Sequence, residues 1–184
     1  MRVFISGGCK NGKSYHAQRL AKHSAGSGRP LYYIATMKPV DSEDDERIAR
    51  HRADRRGWGF VTIEQPQNIE EILKKCDTVG SFLLDSLTAL LSNEMFTAGG
   101  EISENAAEKI SGGLRQVIEQ IPRIVIVSDY IYSDAIKYDP LTEAYRKSLA
   151  GLDRLAAGRC EVVLEAAYTQ IIAHKGGGVF DALP

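Results

Sequence analysis

The sequence predicts an α/β fold in which helices flank a mostly parallel central sheet, on three observations. Short apolar runs alternate with segments of helical periodicity along the chain. Several of the runs are apolar throughout, as in strands covered on both faces. A glycine-rich turn joins the first run directly to the first helical segment.

Taken in order, the first strand is "RVFIS" (2–6), and "KSYHAQRLAKHSA" (13–25) is the first helix. "PLYYIAT" (30–36) is the second strand, rich in the aromatic and β-branched residues that suit a pleated surface. "SEDDERIARHRADRR" (42–56) reads as a helix with acids first and bases last, matching the helix dipole. Then follow strand "GFVTIE" (59–64), helix "NIEEILKKC" (68–76), strand "SFLLD" (81–85) and helix "SLTALLSNEMF" (86–96). "SENAAEKISGGLRQVIEQI" (103–121) has helical periodicity, but Gly112 and Gly113 cost about 1 kcal/mol each, which predicts two helices or one weakened one. After strand "RIVIVSD" (123–129), the helix over 140–158 is the best marked. Asp139 caps it, Pro140 suits its first turn, Leu141, Tyr145, Leu149, Leu152 and Leu155 form its apolar stripe, and Gly158 is a stop. "CEVVLEAA" (160–167) and "TQIIAHK" (169–175) close the chain, the latter as an edge strand.

At 184 residues the chain is expected to form one domain, 1–184, large enough to bury a core. Its 23 basic and 24 acidic side chains nearly cancel, so no global field draws it to nucleic acid or an anionic membrane. No apolar run approaches the roughly 20 residues that span a bilayer, and no export signal is visible. Cys9, Cys76 and Cys160 form no CxxC pair, so reduced thiols and a cytoplasmic location are expected.

The turn itself, Gly7, Gly8, Cys9, Lys10, Asn11, Gly12, Lys13 and Ser14, fits G-x-x-x-x-G-K-[ST]. Glycine admits backbone conformations in which successive N–H groups point inward at phosphate oxygens, and the following helix adds its positive end. Together with the strand order, this specifies a P-loop nucleotide-binding fold. Lys13 would reach the β- and γ-phosphates of a bound nucleotide and Ser14 would hold Mg²⁺. Cys9 reads as a small loop residue. The metal needs an acidic partner, and Asp85, ending "SFLLD", is the expected one; Asp129, ending "RIVIVSD", competes for the role, and either could instead cap the next helix.

In 42–56, helical spacing sets Arg47, His51 and Arg55 on one side, with Arg50 and Arg52 adjacent to His51 in sequence. Read without chemistry this is a solvated helix with i,i+4 ion pairs. If the side faces the phosphate loop, its cations bind a polyphosphate and disfavour protonated His51, leaving an imidazole able to attack phosphorus. His16, His23 and His174 are assigned structural or surface roles.

The stretches "FISGGCKNGKSYHAQRL", "LYYIATMKPVDSEDDERIARHRADR", "GFVTIEQ" and "FLLDSLTALLSNEMF" resemble the bifunctional adenosylcobinamide kinase and adenosylcobinamide-phosphate guanylyltransferase family of cobalamin biosynthesis. The resemblance implies that GTP or ATP phosphorylates the aminopropanol hydroxyl of adenosylcobinamide. It further implies that GMP passes from GTP through a histidine, by position His51, to the substrate phosphate. Nucleotide contacts are implied at residues 7–14, Ile34, Ala35, Thr36, Arg52, Ala53, Asp54, Arg55, Glu64 and Asp85, together with a homo-oligomer, often a trimer. The later half departs from the family: an Asn-Glu-Val-Gly-like stretch is replaced by "DYIYSDAIKYDPL". Two other functions fit the same motifs, a P-loop kinase or nucleotidyltransferase with another small-molecule acceptor, and a non-catalytic nucleotide-sensing module.

Overall fold

In a computed structural model, which describes residues 1–39, 49, 52–53, 55–97, 100–168 and 170–180, the strands form one sheet of order β3-β2-β4-β5-β1-β6-β7. The strands are β1 (Arg2–Gly7), β2 (Leu31–Ala35), β3 (Phe60–Glu64), β4 (Ser81–Asp85), β5 (Ile124–Asp129), β6 (Val162–Ala167) and β7 (Gln170–Lys175). The first six are parallel, and β7 returns antiparallel on β6 as an edge strand, as expected. Helices are α1 (Lys13–Ala25), a single turn α2 (Ile72–Lys75) entered through a 3-10 turn at Ile69–Glu71, α3 (Leu87–Met95), α4 (Ala106–Gln120), α5 (Pro140–Arg159) and the terminal turn α6 (Gly177–Phe180). Of the helix expected over 42–56, Ala49, Arg52 and Ala53 are helical; the rest, except Arg55 and Arg56, lies outside the described residues.

Alternation along the strands divides the core into two layers. Val3 and Ile5 of β1, with Leu83, Val125 and Leu164, pack under Ala17, Leu20 and Ala21 of α1. Phe4, Phe82, Leu84 and Ile126 point the other way, against Leu90, Leu114 and Leu149 of α3, α4 and α5. Each side chain fully buried in this way stabilises the fold by roughly 1.5–3 kcal/mol. The sheet is therefore covered on both faces, which is why its strands read as continuous apolar runs.

The structure decides between open alternatives at two places and departs from expectation at a third, Gly158. Helix α4 is one helix through both glycines. Its Gly113 lets the 3-10 turn pack closely: a Cβ there would stand 3.1 Å from Ile69 Cγ2 and 2.5 Å from Glu70 Oε2, the movable end of a half-buried side chain. Gly158 does not stop α5, which continues to Arg159 and turns extended at Cys160. Ser86, not Asp85, caps α3, its side chain accepting the Ala89 N–H at 3.2 Å. The Asp139 cap of α5 is as expected, accepting from the N–H groups of Leu141 at 3.0 Å and Thr142 at 3.1 Å.

The topology also places the site. Helix α1 leaves β1 on one face and crosses β5 and β4 to reach β2, whereas α5 leaves β5 on the other face and crosses β1 to reach β6. Connections diverging at β1 leave a crevice at the carboxyl ends of β1, β4 and β5, the position at which open α/β sheets bind ligands.

Candidate active site

The loop from Gly7 to Ser14 turns from β1 into α1 through two left-handed residues, Lys10 at φ 60° and Gly12 at φ 81°. Gly12 is also the N-cap of α1, its carbonyl accepting the Tyr15 N–H at 3.1 Å, and the first turn carries no acidic residue. The positive helix end is thus left for an external anion. Gly7 is needed for close approach, since a Cβ would stand 2.5 Å from the Ala166 carbonyl oxygen of β6. Asn11 Nδ2 donates to that same oxygen at 3.1 Å, tying the crest of the loop to β6. Cys9 is exposed and free; Ser14, in the first turn, is half-buried.

Lys13 is folded back under the loop, only 6% exposed. Its Nζ donates to the Gly8 carbonyl oxygen at 2.7 Å and lies 2.6 Å from Asp129 Oδ1. Parallel register sets Asp129 beside Gly7, and the Asp129 N–H donates to Thr88 Oγ1 at 2.9 Å. Asp85 is one strand further out, at the end of β4, where its Oδ2 accepts the Tyr33 hydroxyl at 2.9 Å. Both carboxylates, one beside the loop and one facing it from β4, line a cavity of about 620 Å³.

Cations line the same cavity beside these carboxylates. Arg55, 7% exposed, lays its guanidinium 3.5 Å above the Tyr33 ring, and its Nη1 has no hydrogen-bond partner among the described residues. Burial, and then the neighbouring Asp85 charge, push the Tyr33 phenol well above its ordinary range, so it stays a donor to Asp85. Arg52, exposed like Ala53, pairs with Glu64 at 2.9 Å across the cavity rim. An exposed pair of this kind adds little stability and can be opened by a ligand. On β2, Ile34 is core and Ala35 lines the cavity, whereas the Thr36 hydroxyl is engaged within the chain. It donates to the Ser86 carbonyl oxygen at 2.8 Å and accepts the Ser86 N–H at 2.7 Å. His51 and Asp54 lie outside the described residues.

A family model described as cobinamide kinase / cobinamide phosphate guanyltransferase matches residues 3–169. The chain belongs to this family. Among cobinamide kinase/guanyltransferase relatives, it is 34% identical to the bifunctional adenosylcobalamin biosynthesis protein CobP of Pseudomonas aeruginosa, covering 89% of this chain and 91% of that protein. It is 28% identical to the bifunctional adenosylcobalamin biosynthesis protein CobU of Salmonella typhimurium, covering 89% and 94% respectively. Among solved structures, a KaiC-like protein of Pyrococcus horikoshii superposes at TM-score 0.54 with 12% identity, over 95% of this chain and 78% of that one. The flagellar accessory protein FlaH of Methanocaldococcus jannaschii does so at 0.51 with 12% identity, over 94% and 77%. At such identity these likenesses establish the P-loop α/β fold. Family membership implies the use of GTP or ATP.

In this cobinamide kinase/guanyltransferase, two cavity-lining residues and one that braces a loop escaped the sequence reading. Tyr33 looked like one of several aromatic strand residues, and nothing in the sequence pairs it with Arg55 and Asp85. Tyr145, expected as part of the α5 stripe, also lines the cavity and donates to the Thr88 carbonyl oxygen at 2.8 Å; burial first, then Asp129 and Asp153, push its phenol up to about 12. Arg146 is 7% exposed and organises the 130–139 loop, where the chain departs from the family pattern. Its guanidinium donates to the carbonyl oxygens of Ile131 at 3.2 Å and Ile136 at 3.1 Å, and to Asp134 Oδ1 at 2.9 Å. The only sequence signal for this was Glu143, three residues before Arg146 on the helix and paired with it at 2.8 Å.

Proposed function

We propose that the chain performs both reactions of its family at this crevice, phosphorylating adenosylcobinamide and then transferring GMP from GTP to the new phosphate. The observation that carries this reading is the placement of a buried arginine, Arg55, in the cavity wall with an Nη1 that has no hydrogen-bond partner among the described residues, while Lys13 and its Asp129 partner stand at the loop end. A buried N–H left unpaired is costly, and a phosphate oxygen would satisfy it.

In the kinase reaction the loop amides, Lys13 and Arg55 neutralise the triphosphate while the substrate hydroxyl oxygen attacks the γ-phosphorus. The P–O bond to the β-phosphate breaks, the nucleoside diphosphate leaves, and the hydroxyl proton passes to solvent water. In the guanylyl transfer a nitrogen of His51 attacks the α-phosphorus of GTP and pyrophosphate leaves. An oxygen of adenosylcobinamide phosphate then attacks the same phosphorus, breaking the P–N bond and releasing adenosyl-GDP-cobinamide. The donor set suits Mg²⁺, which binds through one or two protein groups plus substrate phosphates: Ser14 offers a hydroxyl in the first turn of α1 and Asp85 a carboxylate anchored on one edge by Tyr33. Bound there, the ion supplies charge neutralisation of the phosphates. Asp129 orients Lys13. Arg52, Glu64 and Ala35 contact the nucleotide from the cavity rim.

The test is product analysis with purified protein, adenosylcobinamide, GTP and Mg²⁺. Sequential appearance of adenosylcobinamide phosphate and adenosyl-GDP-cobinamide, both lost in Lys13→Ala, is expected. Turnover of other acceptors with none of cobinamide would overturn the acceptor assignment.

A further inference from the structure

We infer that the cavity wall formed by α3 and α5 is the acceptor site, where the uncharged aminopropanol arm of adenosylcobinamide lies along Ala89, Ser92 and Tyr145 with its reacting hydroxyl toward Lys13. This rests on the reading of the crevice as a cobinamide kinase and guanylyltransferase site and adds the half that takes the acceptor.

Direction follows from the two faces of the sheet. Tyr33 and Ala35 of β2 belong to the layer under α1, and alternation along β3 puts Glu64 on that same face with Phe60. Arg55 lies on Tyr33, and Arg52 pairs with Glu64. In the proposed reaction the nucleotide is therefore held on the α1 side of the crevice. Displacement at phosphorus is in line, with the incoming oxygen opposite the leaving group. A nucleoside diphosphate that leaves on the α1 side requires an acceptor that enters from the other, where α3 and α5 cover the sheet.

The wall on that side has the matching chemistry. The residues of α3, its cap and α5 that line the cavity are Ser86, Thr88, Ala89, Ser92 and Tyr145, all of them uncharged. Ala89 and Ser92 are small and half-buried, and with Phe96 they run down one side of α3 to its C-cap. An uncharged arm gives up no ionic hydration against such a surface, whereas a polyphosphate would.

Both ends of the wall suit the acceptor. At the inner end, Thr88 Oγ1 accepts the Asp129 N–H at 2.9 Å, and Asp129 in turn holds Lys13 at 2.6 Å. A hydroxyl at this end meets the phosphate that Lys13 neutralises. The Tyr145 hydroxyl is tied to the Thr88 carbonyl oxygen at 2.8 Å, which fixes the ring as the floor of the groove. At the outer end, Phe96 is 41% exposed with its ring 5.8 Å from that of Tyr145, and it bridges to Ile102, 48% exposed. This apolar rim takes the flank of the macrocycle that stays outside the cavity.

The test is steady-state kinetics of adenosylcobinamide phosphorylation, with GTP binding measured in parallel without acceptor, for wild type, Ser92→Leu, Ala89→Leu and Ser92→Ala. Both positions are half-buried on a helix, and leucine and alanine are good helix formers, so the fold is kept. Either leucine fills the groove and raises the KM for adenosylcobinamide roughly 5- to 100-fold, as overpacking of a binding surface would. GTP affinity is unchanged in all three variants, and Ser92→Ala, which keeps the room, retains the wild-type KM. An acceptor KM unchanged in both leucine variants, or GTP binding weakened as much as acceptor binding in both, would overturn the wall. Wild-type protein that binds GTP yet phosphorylates no cobinamide would instead overturn the reading of the reaction on which the wall rests.

Discussion

Lys13 Nζ sits between two acceptors, 2.6 Å from Asp129 Oδ1 and 2.7 Å from the Gly8 carbonyl oxygen. Asp129 thereby sets the direction of the one cation carried by the loop's G-K-S segment, and the Gly8 bond holds the loop closed around it. In the proposed mechanism, charge developing on transferred phosphate is met by a group already in position. Lys13→Ala is expected to lower both phosphoryl and guanylyl transfer by about 10²- to 10³-fold, the scale on which loss of one preorganised donor acts. Steady-state kinetics of each half reaction measure it; a variant losing less than 10-fold in both would remove Lys13 from the chemistry.

The two carboxylates of the crevice are expected to separate by their metal dependence. Asp85→Asn raises the Mg²⁺ concentration needed for half-maximal rate by about 10-fold or more, as loss of a charged ligand would. Asp129→Asn leaves that requirement unchanged and lowers the maximal rate by misdirecting Lys13. Mg²⁺ titrations of the two variants decide, and the reverse pattern would assign the metal to Asp129.

The adjacent glycines of α4 are expected to respond oppositely. A Cβ on Gly112 meets nothing within 4 Å, so Gly112→Ala gains helix propensity of about 1 kcal/mol. Gly113→Ala gains the same propensity but drives its methyl into Ile69 and Glu70, and overpacking of this kind costs about 1–3 kcal/mol. Denaturant unfolding of both variants tests the difference; equal stabilisation would show that the 3-10 turn yields freely.

Asp153 supplies a pH signature. It is 4% exposed and accepts the Tyr132 hydroxyl at 2.7 Å. Burial raises its carboxyl to about 6, against the opposing pull of the Tyr132 and Ser128 hydroxyls and with a smaller push from Asp129. An acid whose pKa is higher folded than unfolded binds more protons in the native state between the two values. Its ionisation therefore destabilises the fold progressively from about pH 4 to pH 6, and fully above. Asp153→Asn, which keeps an acceptor for Tyr132, is expected to be more stable than wild type by about 2–3 kcal/mol at pH 8 and equal to it near pH 3.5. Unfolding curves across that range check it; a constant difference would assign the effect to packing.

The strands and the loop were legible because each rests on a local pattern. Unbroken apolar runs mark strands buried on both faces, and the loop's glycines and Lys-Ser pair are read in order along one turn. What lay hidden depends on residues distant in the chain. Gly113 looked like a weakness because Ile69 and Glu70, which pack closely on it, are more than forty positions away in sequence. Tyr33 gains its role from Arg55 and Asp85, and Asp129 from its strand's position beside β1. Asp85 and Asp129 end similar apolar runs; Asp85 was the expected metal partner, and only the strand order shows that β5 and not β4 lies next to the loop. Gly158 misled because glycine stops a helix only where a left-handed turn follows, and here the chain goes extended into β6.

The most direct measurement is mass spectrometry of the intact protein and its peptides after incubation with GTP and Mg²⁺, comparing wild type with His51→Ala and avoiding acid, which cleaves phosphoramidates. A histidine relay through His51 predicts a GMP adduct on the peptide carrying that residue and none in the variant. An adduct that persists in His51→Ala, or wild-type protein that makes adenosyl-GDP-cobinamide without ever carrying GMP, would contradict it.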